Sequence, residues 1–201
     1  MANPNVRRGF VPSRYLNGSA WNGAVNMYYI PSTDASVISV GDPVKSVALS
    51  DANGTMGVQK AAGTDAVRGV VVGFLPAPPF GQSFQAGLLD LAIQNLPATK
   101  TKAYYALVVD DPFVLFELQD DGLAALTATA VNKNAIFTVA NPTAPSFNSA
   151  SVLSTASVAV TATLNLKIMG LIQRDDNAFG VNAAWLVKFN LHELLGGTAG
   201  V

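Results

Sequence analysis

The sequence predicts an all-β fold, a jelly-roll-like β-sandwich with an extended N-terminal arm, and three observations carry that reading. The first is the long apolar block over residues 161–194. In its first half Leu164, Leu166, Ile168 and Ile172 share one parity, while Thr163, Asn165, Lys167 and Gln173 share the other. In its second half Trp185, Val187, Phe189 and Leu191 alternate with Lys188, Asn190 and His192. Alternation with period two belongs to strands with one buried face, because successive side chains leave opposite sides of the pleat. The second observation is a series of short apolar runs, each stopped by Gly, Pro, Asn or Asp. The third is that no helical stripe, heptad or solenoid-length repeat runs through the chain. Short strands divided by turn residues are the pattern of a sandwich.

The elements follow in order. Residues 1–24 read as an arm, because Asn, Gly and Pro recur and no strand or helix period is present. Such a segment either frays or orders on a neighbour. Its arginines and aromatics, Arg7, Arg8, Phe10, Arg14, Tyr15 and Trp21, are the candidate partner contacts, being residue types that interfaces favour. Residues 26–30 begin a strand that Pro31-Ser32-Thr33-Asp34 stops, and residues 37–40 lead through the Gly41-Asp42-Pro43 turn into a strand over 44–49. Asp51-Ala52-Asn53-Gly54 is a tight turn. The continuous apolar run over 68–75 predicts a strand covered on both faces. Pro76, Pro78 and Pro79 then mark a surface loop. Residues 88–96 fit a short strand or a helical turn equally. The runs over 103–109 and 113–118, parted by Asp110-Asp111-Pro112, predict a hairpin. From 123 to 163 the chain is rich in Ala, Thr, Ser and Asn, with a strand expected over 135–139 and a loop at Asn141-Pro142 and Pro145. Asp175-Asp176-Asn177 with Gly180 turns the chain between the two strands of the terminal block. The β domain is expected over 25–195, followed by a flexible tail over 196–201.

Composition narrows the function classes. Charged residues make up 12% of the chain and the hydrophobic set 50%, against roughly 25% charge in ordinary soluble domains. Charge keeps a free monomer soluble, so this surface is expected to be covered by copies of the chain or by a partner. A net charge of −1 argues against nucleic acid as the main ligand. With no cysteine there is no disulfide, thiolate metal site or cysteine nucleophile. No apolar stretch reaches membrane-spanning length, and residues 10–14 do not form the apolar centre of a signal peptide, so a soluble intracellular product is expected.

No enzyme pattern emerges. His192 is the only histidine, read as an outward-facing surface or interface residue, and no G-x-S-x-G elbow accompanies it. A single histidine also fails the multi-histidine metal sites of jelly-roll enzymes. The pairs Asp110-Asp111, Asp120-Asp121 and Asp175-Asp176 sit at predicted turns, where Asp side chains bond the backbone. Asp51, Asn53 and Gly54 begin like a calcium loop, but Ala62 stands where the bidentate glutamate belongs, so the segment is a turn. The Gly-rich residues 196–200 lack the lysine and helix of a phosphate loop. No catalytic residue, cofactor or metal ligand is assigned.

Three segments carry a resemblance. YYIPSTDASVISVGDPV (28–44), YYALVVDDPFVLFELQDDG (104–122) and DDNAFGVNAAWLVKFNLHEL (175–194) are together similar to the head decoration, or cement, proteins of tailed bacteriophages. The resemblance lies in a G-D-P-V turn, a V-x-D-D-P-x-x-x-F-E-x-Q hairpin and a terminal N-A-x-x-x-V-x-x-N-x-H strand. It spans residues 28–194, leaves the arm and the 123–163 stretch outside, and transfers no functional residue. It implies a jelly-roll-like domain made in the host bacterial cytoplasm that oligomerises, as dimer or trimer, on the outside of a capsid. Its partner there is the major capsid protein, and its role is to stabilise joints between capsomers, with no direct nucleic-acid or membrane contact. The alternative is a carbohydrate-binding sandwich on the particle surface aiding host attachment, with Tyr104, Tyr105 and Trp185 as the candidate aromatic platform.

Overall fold

A computed structural model describes residues 3–76, 92–142 and 146–195. The proline loop beyond Pro76, the start of the ambiguous 88–96 stretch, Pro145 and the 196–201 tail therefore lie outside the described residues. The chain is all-β, with fourteen strands and two single-turn 3₁₀ helices among those residues. In order the strands are β1 (Val11–Tyr15), β2 (Asn26–Ile30), β3 (Ile38–Ser39), β4 (Pro43–Ser50), β5 (Met56–Lys60), β6 (Gly69–Leu75) and β7 (Asn95–Leu96). There follow β8 (Tyr104–Val109), β9 (Val114–Gln119), β10 (Asn134–Ala135), β11 (Phe137–Thr138), β12 (Val152–Leu153), β13 (Leu166–Leu171) and β14 (Ala184–Phe189).

Two bodies of sheet lie side by side. One is a closed barrel in the order β2-β5-β4-β6-β8; the other is an open five-stranded sheet in the order β1-β9-β14-β13-β10. All pairs are antiparallel except β2 with β5, which closes the barrel where Tyr29 faces Gly57. A Cβ on Gly57 would lie 2.8 Å from the Leu49 carbonyl oxygen, so closure at this point needs glycine. Two small two-stranded pairs, β3-β7 and β11-β12, complete the strands.

The barrel holds one core, with Tyr28, Ile30, Val44, Val58, Val71 and Phe74 among its residues. The sheet holds the other, built on Phe116, Leu118, Ile168, Trp185, Val187 and Phe189. β6 explains how the two join: Val71 points into the barrel while its neighbour Val70 points into the sheet's core. β8 does the same with Val108 and Val109. The apolar run over 68–75 is thus covered on both faces, as expected, because each face serves a different core.

The terminal block forms the predicted pair, β13 against β14, with Leu166 opposite Phe189 and Ile168 opposite Val187. β14 is the middle strand of its sheet. Trp185, Val187 and Phe189 are buried on the predicted parity; Ala184 and Leu186 are buried as well.

Three expectations are corrected. The runs over 103–109 and 113–118 do not form a hairpin. β8 pairs with β2 and β6 inside the barrel, and β9 pairs with β1 and β14 in the sheet. Asp110-Asp111-Pro112 is the crossover between the two bodies. The strand expected over 135–139 is split, β10 pairing with β13 and β11 with β12. The arm is also part of the fold from Asn3 onward. β1 is the edge strand against β9, and the chain folds back on it through a Leu16-Asn17-Gly18 turn, with Arg14 bridged to Ala20.

Candidate interaction surface

The carboxylates that might do chemistry are spent on the fold. At the crossover, both carboxylate oxygens of Asp110 lie within hydrogen-bond distance of the Asn26 amide nitrogen, at 2.9 and 3.0 Å, and Asp110 also accepts from the Tyr28 hydroxyl. Arg68 donates through Nε to the Tyr28 oxygen at 2.7 Å and lies over its ring. Burial first, then Asp110, pushes the Tyr28 hydroxyl up to about 12, so it stays a donor. At the Gly41 turn, buried Asp42 accepts from the Ser39 N–H, the Ser149 and Ser151 hydroxyls and Lys60 Nζ. Asp120 accepts from the Gly122 and Ala183 N–H groups and from the Trp185 indole. Buried Lys100 is held by Asp34 and the Ser36 carbonyl. Among the described residues no group of three or more His, Cys, Asp or Glu is placed to hold a metal ion.

The acidic pairs were expected to bond the backbone at turns, and two of them do so through their second member. Asp111 accepts from the Phe113 N–H and Asp121 from the Leu123 N–H, each two residues on. Asp51 likewise accepts from the Asn53 and Thr55 N–H groups, as a turn rather than a cation loop.

His192 is not on the surface. It is 2% exposed, with its ring 6.3 Å from that of Phe189, and its Nδ1 accepts the Leu194 N–H. The outward parity fails because the ladder ends at Phe189 and the chain then turns in beside Val67. Burial, followed by the nearby Arg68 cation, pushes the imidazole down to about 4. The unfolded chain takes up this proton near 6.5 and the folded chain only near 4. Stability is therefore lost as pH falls through that window, by about 3 kcal/mol in full. Asp65, held below the usual carboxylate range by Lys45 against the effect of burial, acts only at lower pH. Asp120, raised by burial, acts with the opposite sign. The expected result is that the denaturant midpoint of wild type falls relative to that of His192→Gln as pH is lowered from 7 to 4. Parallel curves would show that His192 titrates normally.

The six candidate contacts are dispersed. Phe10 is 1% exposed, its ring among those of Phe116, Phe137 and Phe189 at 5.1–6.1 Å. A Cβ on neighbouring Gly9 would meet the Gly41 carbonyl and Ser149 at 2.5 Å, so the chain enters the core here through glycine. Trp21 is half-buried against the sheet's core, and Tyr15 packs there too while its hydroxyl donates to Asn22. Arg7, Arg8 and Arg14 remain exposed; Arg7 reaches the Asp121 carbonyl at 3.3 Å. Of the aromatics proposed as a glycan platform, Trp185 and Tyr105 are buried and Tyr104 is packed against the barrel's core.

What does face solvent is an apolar lip that the sequence reading missed. Leu16, 45% exposed at the tip of the N-terminal turn, stands beside Phe113, 52% exposed in the crossover; the Leu16 N–H donates to the Phe113 carbonyl at 2.8 Å. With Tyr15, Asn17 and Asp111 they line an open groove of ≈ 470 Å³. The available signal was a phenylalanine placed directly after Asp-Asp-Pro, in a turn where polar residues belong.

The architecture defines a class: an all-β chain in which a closed barrel and an open sheet share their packing, with carboxylates serving structure. Comparison with protein-family models, with curated proteins and with solved structures finds no match in any of the three.

Proposed function

We propose that this chain is a structural protein of a virion, a cement or decoration subunit that binds the outside of a tailed-phage head and stabilises contacts between capsomers. One observation carries the reading beyond the resemblance of its motifs: charge is scarce and much of it is buried or paired within the chain, while large apolar side chains face out. Asp42, Lys100, Asp110 and Asp120 are buried, and Lys45, Lys60, Arg68, Lys100 and Arg174 are each engaged in ion pairs within the chain. Leu16, Leu123, Phe113, Phe147 and Val160 meanwhile stand exposed. A surface so poor in free charge suits a protein that works covered by others.

In this role the chain, made in the bacterial cytoplasm, assembles as a homo-oligomer on the capsid surface, with the major capsid protein as its partner. The lip of Leu16 and Phe113 is the anchor, with Arg14 and Tyr15 beside it. Each large apolar side chain taken from water contributes about 1.5–3 kcal/mol. Symmetric repetition over the shell multiplies a modest contact into a large lattice effect. No helix of the described residues is long and apolar enough to cross a membrane.

The test is binding to shells assembled without this protein, read by co-sedimentation and by the shells' melting temperature. Wild type is expected to bind and to raise the melting temperature. Leu16→Asp with Phe113→Asp should bind tenfold or more weakly, equivalent to about 1.4 kcal/mol. Failure of the folded wild-type protein to bind such shells would end the proposal.

A further inference from the structure

The chain's seven lysines divide sharply by what they touch. Lys45, Lys60 and Lys100 are paired with carboxylates, and Lys102 lies over the Tyr104 ring. The side chains of Lys133, Lys167 and Lys188 have no hydrogen bond, ion pair or ring contact among the described residues, and the fold sets two of them, Lys167 and Lys188, side by side. In the β13–β14 ladder Lys167 stands directly opposite Lys188. Both ladder lysines point away from the core, because Leu166 and Ile168 on one strand and Val187 and Phe189 on the other are buried. Like charges set directly opposite on neighbouring strands destabilise a sheet. A chain that pairs its other lysines has left this cross-strand repulsion uncompensated.

The complement lies at the other end of the same strand pair. The turn between β13 and β14 carries Asp175, exposed and without hydrogen bond or ion pair, whereas neighbouring Asp176 and Glu117 are tied to Arg174. Between the two ends Met169, on the parity of Lys167 and outside both cores, is half-buried. One end of the β13–β14 ribbon is thus cationic and the other anionic, with an apolar residue between. A two-fold axis lying in such a face and perpendicular to its strands brings each lysine pair over the partner's Asp175, twice per dimer, which is the self-complementarity an isologous interface requires. The net charge of −1 and the acidic turn on the same ribbon disfavour a nucleic-acid backbone as the occupant.

We infer that the outer face of β13 and β14 is where a second copy of this chain docks, the Lys167–Lys188 pair of one copy meeting Asp175 of the other. The inference rests on the proposed role as an assembling shell subunit and names the face that assembles. It makes a prediction of opposite signs. Lys188→Glu creates a cross-strand ion pair with Lys167, so the melting temperature of the dilute protein should hold or rise while self-association weakens.

Sedimentation of the full chain from micromolar to several hundred micromolar tests this. Wild type should dimerise. Lys188→Glu and Asp175→Lys should each weaken dimerisation by about tenfold or more, with far-ultraviolet spectrum and cooperative melting intact. The two changes in one chain set the new acid opposite the partner's new lysine and should dimerise more tightly than either single change. A monomer across the whole range, an association unmoved by either single change, or a double variant no better than the singles would overturn the inference. So would a duplex DNA oligonucleotide that binds wild type but not Lys188→Glu. A wild type that stays monomeric yet binds shells would leave the cement role standing and remove this face from it.

Discussion

Replacing Trp185 with alanine should cost the fold about 3–5 kcal/mol, the usual loss for truncating a fully enclosed aromatic. Trp185 has no solvent exposure, sits on the middle strand of the sheet, lies tilted against the Phe179 ring at 5.9 Å, and donates its indole hydrogen to Asp120. Removing it opens a cavity and strips a buried carboxylate of one donor, so two destabilising effects add. Lys188→Ala, three residues along and facing out, should change stability by less than about 0.5 kcal/mol. The comparison is made by urea denaturation, reading the shift in midpoint at constant slope. Equal losses at the two positions would mean that the strand is out of register, since a slip of one residue exchanges the faces.

Phe10→Ala should be equally severe, about 3–5 kcal/mol, and this result separates a structural N-terminus from an attachment arm. The Phe10 ring fills the space between Phe116, Phe137 and Phe189, and its N–H donates to the Gly41 carbonyl at 2.9 Å. Asn3 is bonded to the Ala178 and Val181 carbonyls, and the Pro4 carbonyl accepts from Gln119. Deleting residues 1–24 removes the ring and the edge strand together, leaving β9 unpaired on one side and the aromatic core open. Such a chain should lose cooperative melting in differential scanning calorimetry. A truncated protein that melts within a degree or two of the full chain would show that residues 3–24 merely lie on the surface.

How much of this was legible depends on the kind of signal. Turn chemistry read well: Gly41, Gly54 and Gly122 adopt the positive φ that stops a strand, and Asp51, Asp111 and Asp121 bond the backbone as turn residues do. Alternation identified the β13–β14 pair and the face that Trp185 occupies. What alternation does not encode is the partner of a strand. β8 and β9 carry good strand patterns around a good turn, yet one belongs to the barrel and the other to the sheet. That choice is made by tertiary packing, with Val108 and Val109 facing different cores. β5, Met56–Lys60, passed unnoticed because MGVQK has too little apolar alternation to register. The N-terminal strand VPSRY was illegible for the same reason: an edge strand is specified by its neighbour's hydrogen bonds more than by its own side chains. His192 lay just beyond the strand whose parity was extended to it. The apolar lip brings together Leu16 and Phe113 from distant parts of the chain, and only the folded arrangement makes them neighbours.

A reconstruction of the particle containing this chain tests most directly its proposed role as a structural subunit covering joints of a viral shell. At a resolution where strands separate, the barrel and the open sheet should appear as adjoining lobes of density outside the capsid floor. The Leu16–Phe113 lip should sit against the shell, and the copies should straddle capsomer boundaries in fixed stoichiometry. Density confined to the tail, or a particle of unchanged composition and stability when the protein is absent, would contradict the account.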